Sequence, residues 1–262
     1  MDAVYVVRPG DRNEELRYSI RSIVAHMPFD KLVIAGHVPP WIRPDVALEL
    51  EQTPGAKQSN ARANLLAAIA SPDVSDPFVY LNDDFYVMAP LDGDMPTFHR
   101  GTLAAMLAEY SKLRASGYMV ALRNTNALLH TLGFDDPLCY ELHVPMPVYK
   151  EGLERTFAVG GHIPGLHWRT LYGNLVGAGG SFLADCKIYG LRSDLDGLPF
   201  LSADDRRFIR YPVGKYVRRA FPEATAYETL TYDDVIRDSA RVGIRRPAIP
   251  RHRSDRFGDP RD

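Results

Sequence analysis

Residues 78–87, Phe-Val-Tyr-Leu-Asn-Asp-Asp-Phe-Tyr-Val, carry a strand-like apolar run that breaks on three short polar side chains and then resumes. Adjacent carboxylates where a buried strand runs out can hold a divalent cation beside phosphate oxygens. Such a cation acts as a Lewis acid on a departing diphosphate, and hard oxygen ligands suit Mn²⁺ or Mg²⁺. On this reading Asp84 is the direct metal ligand. Asp83 reaches the ribose or sugar hydroxyls and takes part in catalysis, and Asn82 contacts the sugar or points into the sheet. Asn-Asp-Asp between hydrophobic runs is equally the composition of a hairpin turn.

Further groups would have to converge on that turn. Lys57, Asn60 and Asn64 lie at the start of a helical pattern, with the two asparagines four residues apart on one face. Free N–H groups at a helix start beside a lysine make an anion site; a capped surface helix has the same composition. Arg8, Asn13 and Arg17 follow the first strand and would reach the same rim, touching base or phosphates, or else serve as cap and solvated helix face. Glu141 and His143 are the candidate general bases for an acceptor hydroxyl. His162 and His167 would complete the metal shell or bind diphosphate, with His167 the metal candidate, and Arg169 joins the donor-binding cations. Each histidine has an alternative as an ordinary hydrogen-bonded structural residue. Asp185, Lys187, Asp204 and Asp205 read as acceptor contacts or as local caps and salt bridges. His-Glu-x-x-His, Gly-x-x-x-x-Gly-Lys-Ser/Thr and Gly-x-Gly-x-x-Gly are all missing, which argues against a zinc hydrolase of that type, a P-loop enzyme and a dinucleotide oxidoreductase.

The elements that must position these residues open as an α/β sheet. The pattern predicts a strand over 3–7, a turn, a helix over 14–26 capped by Asn13, and a strand over 31–36. A third short strand over 46–50, a helix over 60–70 and the strand ending at Asn82 follow. Beyond residue 100 the texture changes. Helices are expected over 102–116, 125–132, 148–158 and 167–174, with 136–149 an ordered loop or bulged edge strand. A strand-like run over 185–189 precedes a helix start at 200–205, where Ser202 is the cap and Asp205 the acid three residues on. A short helix or edge over 215–221 and a helix over 232–241 close the pattern. Three segments are expected: a nucleotide-sugar-binding half over 1–100, an acceptor-side and catalytic half of the same domain over 101–240, and a basic tail over 241–262.

A chain of 262 residues can bury a substantial core. Its net charge of -2 gives no strong field to draw nucleic acid or an anionic membrane. No stretch is apolar enough for a membrane span, and two cysteines are too few for a disulfide scaffold. A reducing, cytoplasmic location is expected, with no oligomeric state specified.

The stretches 13–23 (Asn-Glu-Glu-Leu-Arg-Tyr-Ser-Ile-Arg-Ser-Ile), Pro39-Pro40-Trp41-Ile42 and Tyr80-Leu81-Asn82-Asp83-Asp84-Phe85 resemble the Stealth proteins, as do Glu141-Leu142-His143-Val144-Pro145, Phe200 to Asp205, and Phe221-Pro222-Glu223. Those are sugar-phosphate transferases of capsule synthesis. The wider resemblance is to the GT-A class of glycosyltransferases, in which a short acidic motif after a central strand holds Mn²⁺ or Mg²⁺ and a nucleotide-sugar. Asp84 matches the metal-binding end of that motif, and Asn82 stands where an aspartate is usual. The resemblance implies a GT-A-like, Rossmann-like mixed central sheet flanked by helices. It also implies transfer of a sugar from a nucleotide-diphosphate donor to a glycan, protein or other hydroxyl acceptor. Two alternatives share the fold: a Stealth-type sugar-phosphate transferase that releases a nucleoside monophosphate, and a carbohydrate-binding protein without turnover.

Overall fold

The computed structural model describes residues 1–229 except 11, 112–115, 162, 164 and 193. The expected helix over 232–241 and the basic tail lie outside the described residues, as does His162. Strands β1 (Asp2–Val7), β2 (Leu32–Gly36), β3 (Val46–Glu49) and β4 (Phe78–Asn82) run parallel, and β7 (Met146–Val148) closes the sheet antiparallel to β4. The order is β3-β2-β1-β4-β7. Pro147 sits in β7, at the edge, where a missing N–H costs no ladder bond.

Strand periodicity decides which side chains meet which helices. Tyr5, Val7, Val79 and Leu81 pack on one face with Leu16, Ile20 and Ile23 of α1 (Glu14–His26). Val4, Val33, Phe78 and Tyr80 pack on the other with Leu65, Ala68 and Ile69 of α2 (Lys57–Ala70), and with Leu153 and Phe157 of α5 (Lys150–Gly160). Each large apolar side chain so buried contributes roughly 1.5–3 kcal/mol. The result is a mixed sheet with helices on both faces.

The chain leaves β1 for β2 and β3 on one side, then returns past β1 to form β4 on the other. Loops after β1 and β4 therefore part at the carboxyl edge, the position where open α/β sheets bind ligands. After Asn82 the chain turns and β5 (Phe85–Val87) leaves the main sheet, pairing antiparallel with β9 (Phe200–Ser202). The Asn-Asp-Asp turn is not a hairpin, since its two flanking strands belong to different sheets. Ser19 of α1 bonds the Phe85 carbonyl, and Ser22 Oγ accepts from the Val87 N–H at 3.0 Å. The turn is fixed on both sides.

Five local expectations are corrected. Asn13 occupies the N-cap position in a left-handed conformation (φ 45°) but makes no side-chain cap; its amide donates to the Arg8 carbonyl at 3.1 Å. The helix expected over 102–116 is α3 (Leu103–Tyr110), capped by Thr102, and the one expected to begin at 125 is α4 (Gly117–Thr131), started by Ser116, whose hydroxyl accepts the Met119 N–H. Ser202 lies in β9 rather than capping a helix, because its backbone pairs with Phe85. Asp204 takes the cap of α7 (Asp205–Arg210), accepting the Arg207 N–H at 2.9 Å. The run 185–189 forms only an isolated parallel bridge, Lys187 to Ser202. The remaining elements are β6 (Phe98–His99), α6 (Trp168–Leu175), β8 (Ser181–Phe182) and α8 (Pro212–Ala220).

Candidate active site

Asp83 and Asp84 are both buried at the carboxyl end of β4. Asp84 Oδ2 lies 2.5 Å from Lys187 Nζ and accepts the Ser202 hydroxyl at 3.1 Å. Burial opposes its ionisation, but the Lys187 charge, then His143 and the bonds from Lys187 and Ser202, hold its carboxyl below the usual aspartate value. Asp83 is different. Its Oδ2 is buried and accepts no hydrogen bond from any described residue; the nearest cation is Arg8, with Nε at 3.7 Å. Burial, then the charge of Asp84, push the Asp83 carboxyl up to about 6. Behind them Glu15 is pushed up to about 8 by burial and then by Asp83. The Tyr86 hydroxyl, without a partner among the described residues, is raised as well, by burial and then by the nearby acids.

His143 stands on the other side of the turn. Its Nδ1 lies 2.9 Å from Asp185 Oδ1, and Arg100 Nη1 approaches Asp185 Oδ2 at 3.9 Å. Burial alone would raise Asp185, but the bond and charge of His143 and the charge of Arg100 hold it at about 2. Asp185 is therefore an ionised acceptor that orients the imidazole. His143 Nε2 has no hydrogen-bond partner among the described residues.

At the end of β1, Asn64 is buried and its Nδ2 reaches the Val7 carbonyl at 3.4 Å, while Gln52 Nε2 donates to the same oxygen at 2.7 Å. Asn64 Oδ1 has no partner among the described residues. Gly36 ends β2 at φ 113°, and a Cβ there would meet Asn64 Nδ2 and the Val7 oxygen, each at 2.3 Å. Asn60 points the other way, closing the preceding loop through Thr53 at 2.8 and 3.1 Å. Lys57 is an exposed residue opening α2. Arg17 is committed elsewhere: Nη1 bonds Glu228 at 3.0 Å and its guanidinium lies 4.6 Å over Trp41.

Glu141, His167 and Arg169 form one buried cluster. Glu141 Oε2 lies 3.0 Å from Arg169 Nη2 and 3.6 Å from His167 Nδ1, and Oε1 accepts the Thr170 N–H at 3.2 Å. Burial opposes the charge on Glu141, and Arg169, then His167 and the two donors, keep its carboxyl below the ordinary value. Arg169 also bonds the Leu142 carbonyl, so the cluster ties α6 to the segment that carries His143.

The structure thus brings Asp83, Asp84 and Arg8 together with Lys187 and Ser202, and sets His143 with Asp185. Glu15, Gln52 and Arg100 were not legible as site residues. Glu15 looks like a routine helix-dipole acid, and the other two sit in loops that no motif marks. A divalent cation on a diphosphate needs one or two protein carboxylates, with phosphate oxygens and water filling the shell. Asp83 and Asp84 fit that requirement, and the buried Asp83 oxygen, without a hydrogen bond among the described residues, is the acceptor such an ion would satisfy. Among the described residues no group of three His, Cys, Asp or Glu side chains forms a metal site from protein ligands alone.

No protein-family model matches the chain. Among solved structures, the galactosyltransferase LgtC, in complex with donor and acceptor sugar analogues, superposes with a TM-score of 0.52 at 12% sequence identity. The match covers 89% of this chain and 98% of LgtC. At that identity the likeness is one of fold. The mixed central sheet flanked by helices has the GT-A, Rossmann-like architecture.

Proposed function

We propose that the chain is a glycosyltransferase that moves a sugar from a nucleotide-diphosphate donor to a hydroxyl acceptor. The observation that carries the reading is the adjacent Asp83 and Asp84 pair at the carboxyl end of β4, one oxygen buried without a donor, in a fold shared with a sugar-transferring enzyme. Asp83 and Asp84 would hold Mn²⁺ or Mg²⁺, which when bound would neutralise charge on the leaving diphosphate. Arg8, half-exposed and 3.7 Å from Asp83, would meet phosphate oxygens. Asn64, whose buried Oδ1 has no partner among the described residues, would accept a hydrogen bond from the nucleoside.

His143 is the better of the two general-base candidates. Nε2 is unpartnered among the described residues, and Nδ1 is fixed by an ionised carboxylate. It would take the acceptor hydroxyl proton as that oxygen bonds the anomeric carbon, while the bond from that carbon to the diphosphate oxygen breaks. Glu141, Arg169 and His167 would support this base through the 141–143 backbone. The free thiols of Cys139 and Cys186 suit a reducing compartment such as the cytoplasm. No helix among the described residues is long and apolar enough to cross a membrane.

The Stealth-type alternative would use the same donor site and break a phosphorus–oxygen bond instead. Incubation with a panel of nucleotide-sugars and Mn²⁺, followed by chromatography of the nucleotide products, separates the two. Nucleoside diphosphate formed in step with glycosylated acceptor is expected. Nucleoside monophosphate would move the assignment to phosphosugar transfer, and no turnover of any donor would count against both.

A further inference from the structure

We propose that the Lys187 ammonium is the resident counter-ion of this site, and that a divalent cation reaches Asp84 only by displacing it. The inference rests on reading Asp83 and Asp84 as a cation site. Lys187 Nζ lies 2.5 Å from Asp84 Oδ2, with both side chains largely shielded from water. The lysine backbone is held in register: the Ile188 N–H donates to the Ser202 carbonyl at 2.9 Å, and the Ser202 N–H to the Cys186 carbonyl at 3.1 Å. Ser202 in turn pairs with Phe85, the residue after Asp84. Position 187 is thus tied through one strand to the acidic turn, and its ammonium rests on the carboxylate oxygen that Ser202 Oγ also bonds.

The pair is built to open. Lysine presents a compact charge on a flexible four-carbon stem, whereas arginine locks a carboxylate through a planar fork. The same molecule shows the contrast, since Arg21 holds Glu228 through a fork, Nε to Oε1 and Nη2 to Oε2, each at 2.8 Å. Beside the lysine-bound carboxylate, Asp83 Oδ2 has no hydrogen-bond donor among the described residues. Asp83 has only the half-exposed Arg8 guanidinium beside it, at 3.7 Å and without a hydrogen bond, and a divalent ion would give both acids a shared partner. Lys187, once released, would remain beside the diphosphate.

Mn²⁺ alone, titrated into the full chain at one fixed pH and followed through the resonance of the free ion, tests the proposal. Lys187→Met is expected to bind Mn²⁺ at least tenfold more tightly than wild type, and Lys187→Arg no more tightly. Adding Asp84→Asn to Lys187→Met should abolish the gain. Equal or weaker Mn²⁺ binding by a folded Lys187→Met protein would overturn the proposal; Lys187→Gln serves the same comparison if the methionine variant does not fold. The titration uses neither donor nor acceptor. Failure of sugar transfer with a tenfold gain in Lys187→Met would sink the proposed reaction alone, and transfer without that gain would sink this inference alone.

Discussion

His143 Nδ1 and Asp185 Oδ1 lie 2.9 Å apart, a contact between residues 42 positions apart in the chain that fixes the plane of the imidazole. If His143 is the base, Asp185 acts through it and not on substrate. Asp185→Asn should lower kcat about 10- to 100-fold while leaving donor KM within about threefold, because the oriented proton acceptor is lost and the donor site is not touched. Steady-state kinetics of the folded variant separate this from a general loss of structure, which would move both constants.

Gly36 is a packing requirement of the carboxyl edge of the sheet. Gly36→Ala places a methyl group into Asn64 Nδ2, the Val7 carbonyl and Gln52 Nε2 at a positive φ, and all three obstacles are polar groups. The expected cost is about 2 kcal/mol or more, read as a lower urea midpoint with unchanged m-value.

Glu15 makes stability fall toward alkaline pH. Its folded value of about 8 lies above the ordinary 4.5, so the folded chain holds the proton more tightly than the unfolded chain. That contribution is complete below about pH 4.5 and is lost as pH rises through about 8. Urea midpoints measured across this window should decline less steeply for Glu15→Gln than for wild type.

Glu141→Gln removes one partner from a buried cluster and leaves Arg169 without its carboxylate. A loss of about 3–5 kcal/mol is expected, measured by denaturant unfolding. Retained wild-type stability would show that the Arg169 bond to Leu142 is sufficient to hold α6 in place.

The sheet and its two helical layers were readable because strand alternation and the α1 and α2 stripes are local patterns, as at Tyr5, Val7, Leu16 and Ile20. The acidic turn was readable because Asp83 and Asp84 interrupt a buried run. What surrounds the turn was less legible. Lys187 and Ser202 reach Asp84 across 103 and 118 residues, and that pairing is set by the small β5-β9 sheet, whose strands are three residues each. Such short strands leave little periodicity, so Ser202 looks like a helix cap followed by acids. Arg17 looks like a phosphate contact until Glu228 and Trp41 are brought against it by the fold. Helix α4 was located late because its start depends on the Ser116 hydroxyl rather than on an apolar stripe.

Proton competition should also be visible at the acidic turn. With Asp83 raised to about 6, Mn²⁺ binding should weaken as pH falls through about 6, because the ligand oxygen is taken by a proton. Asp83→Asn should bind more weakly at every pH and lose that dependence.

Calorimetric titration of nucleotide-sugars in the presence of Mn²⁺, comparing wild type with Asp83→Asn/Asp84→Asn, reaches the core of the account. At least one donor should bind the wild-type protein, and its affinity should fall about 100-fold or more in the folded double variant. Equal donor affinity in the two proteins would mean that the carboxylates at the end of β4 do not form the diphosphate site.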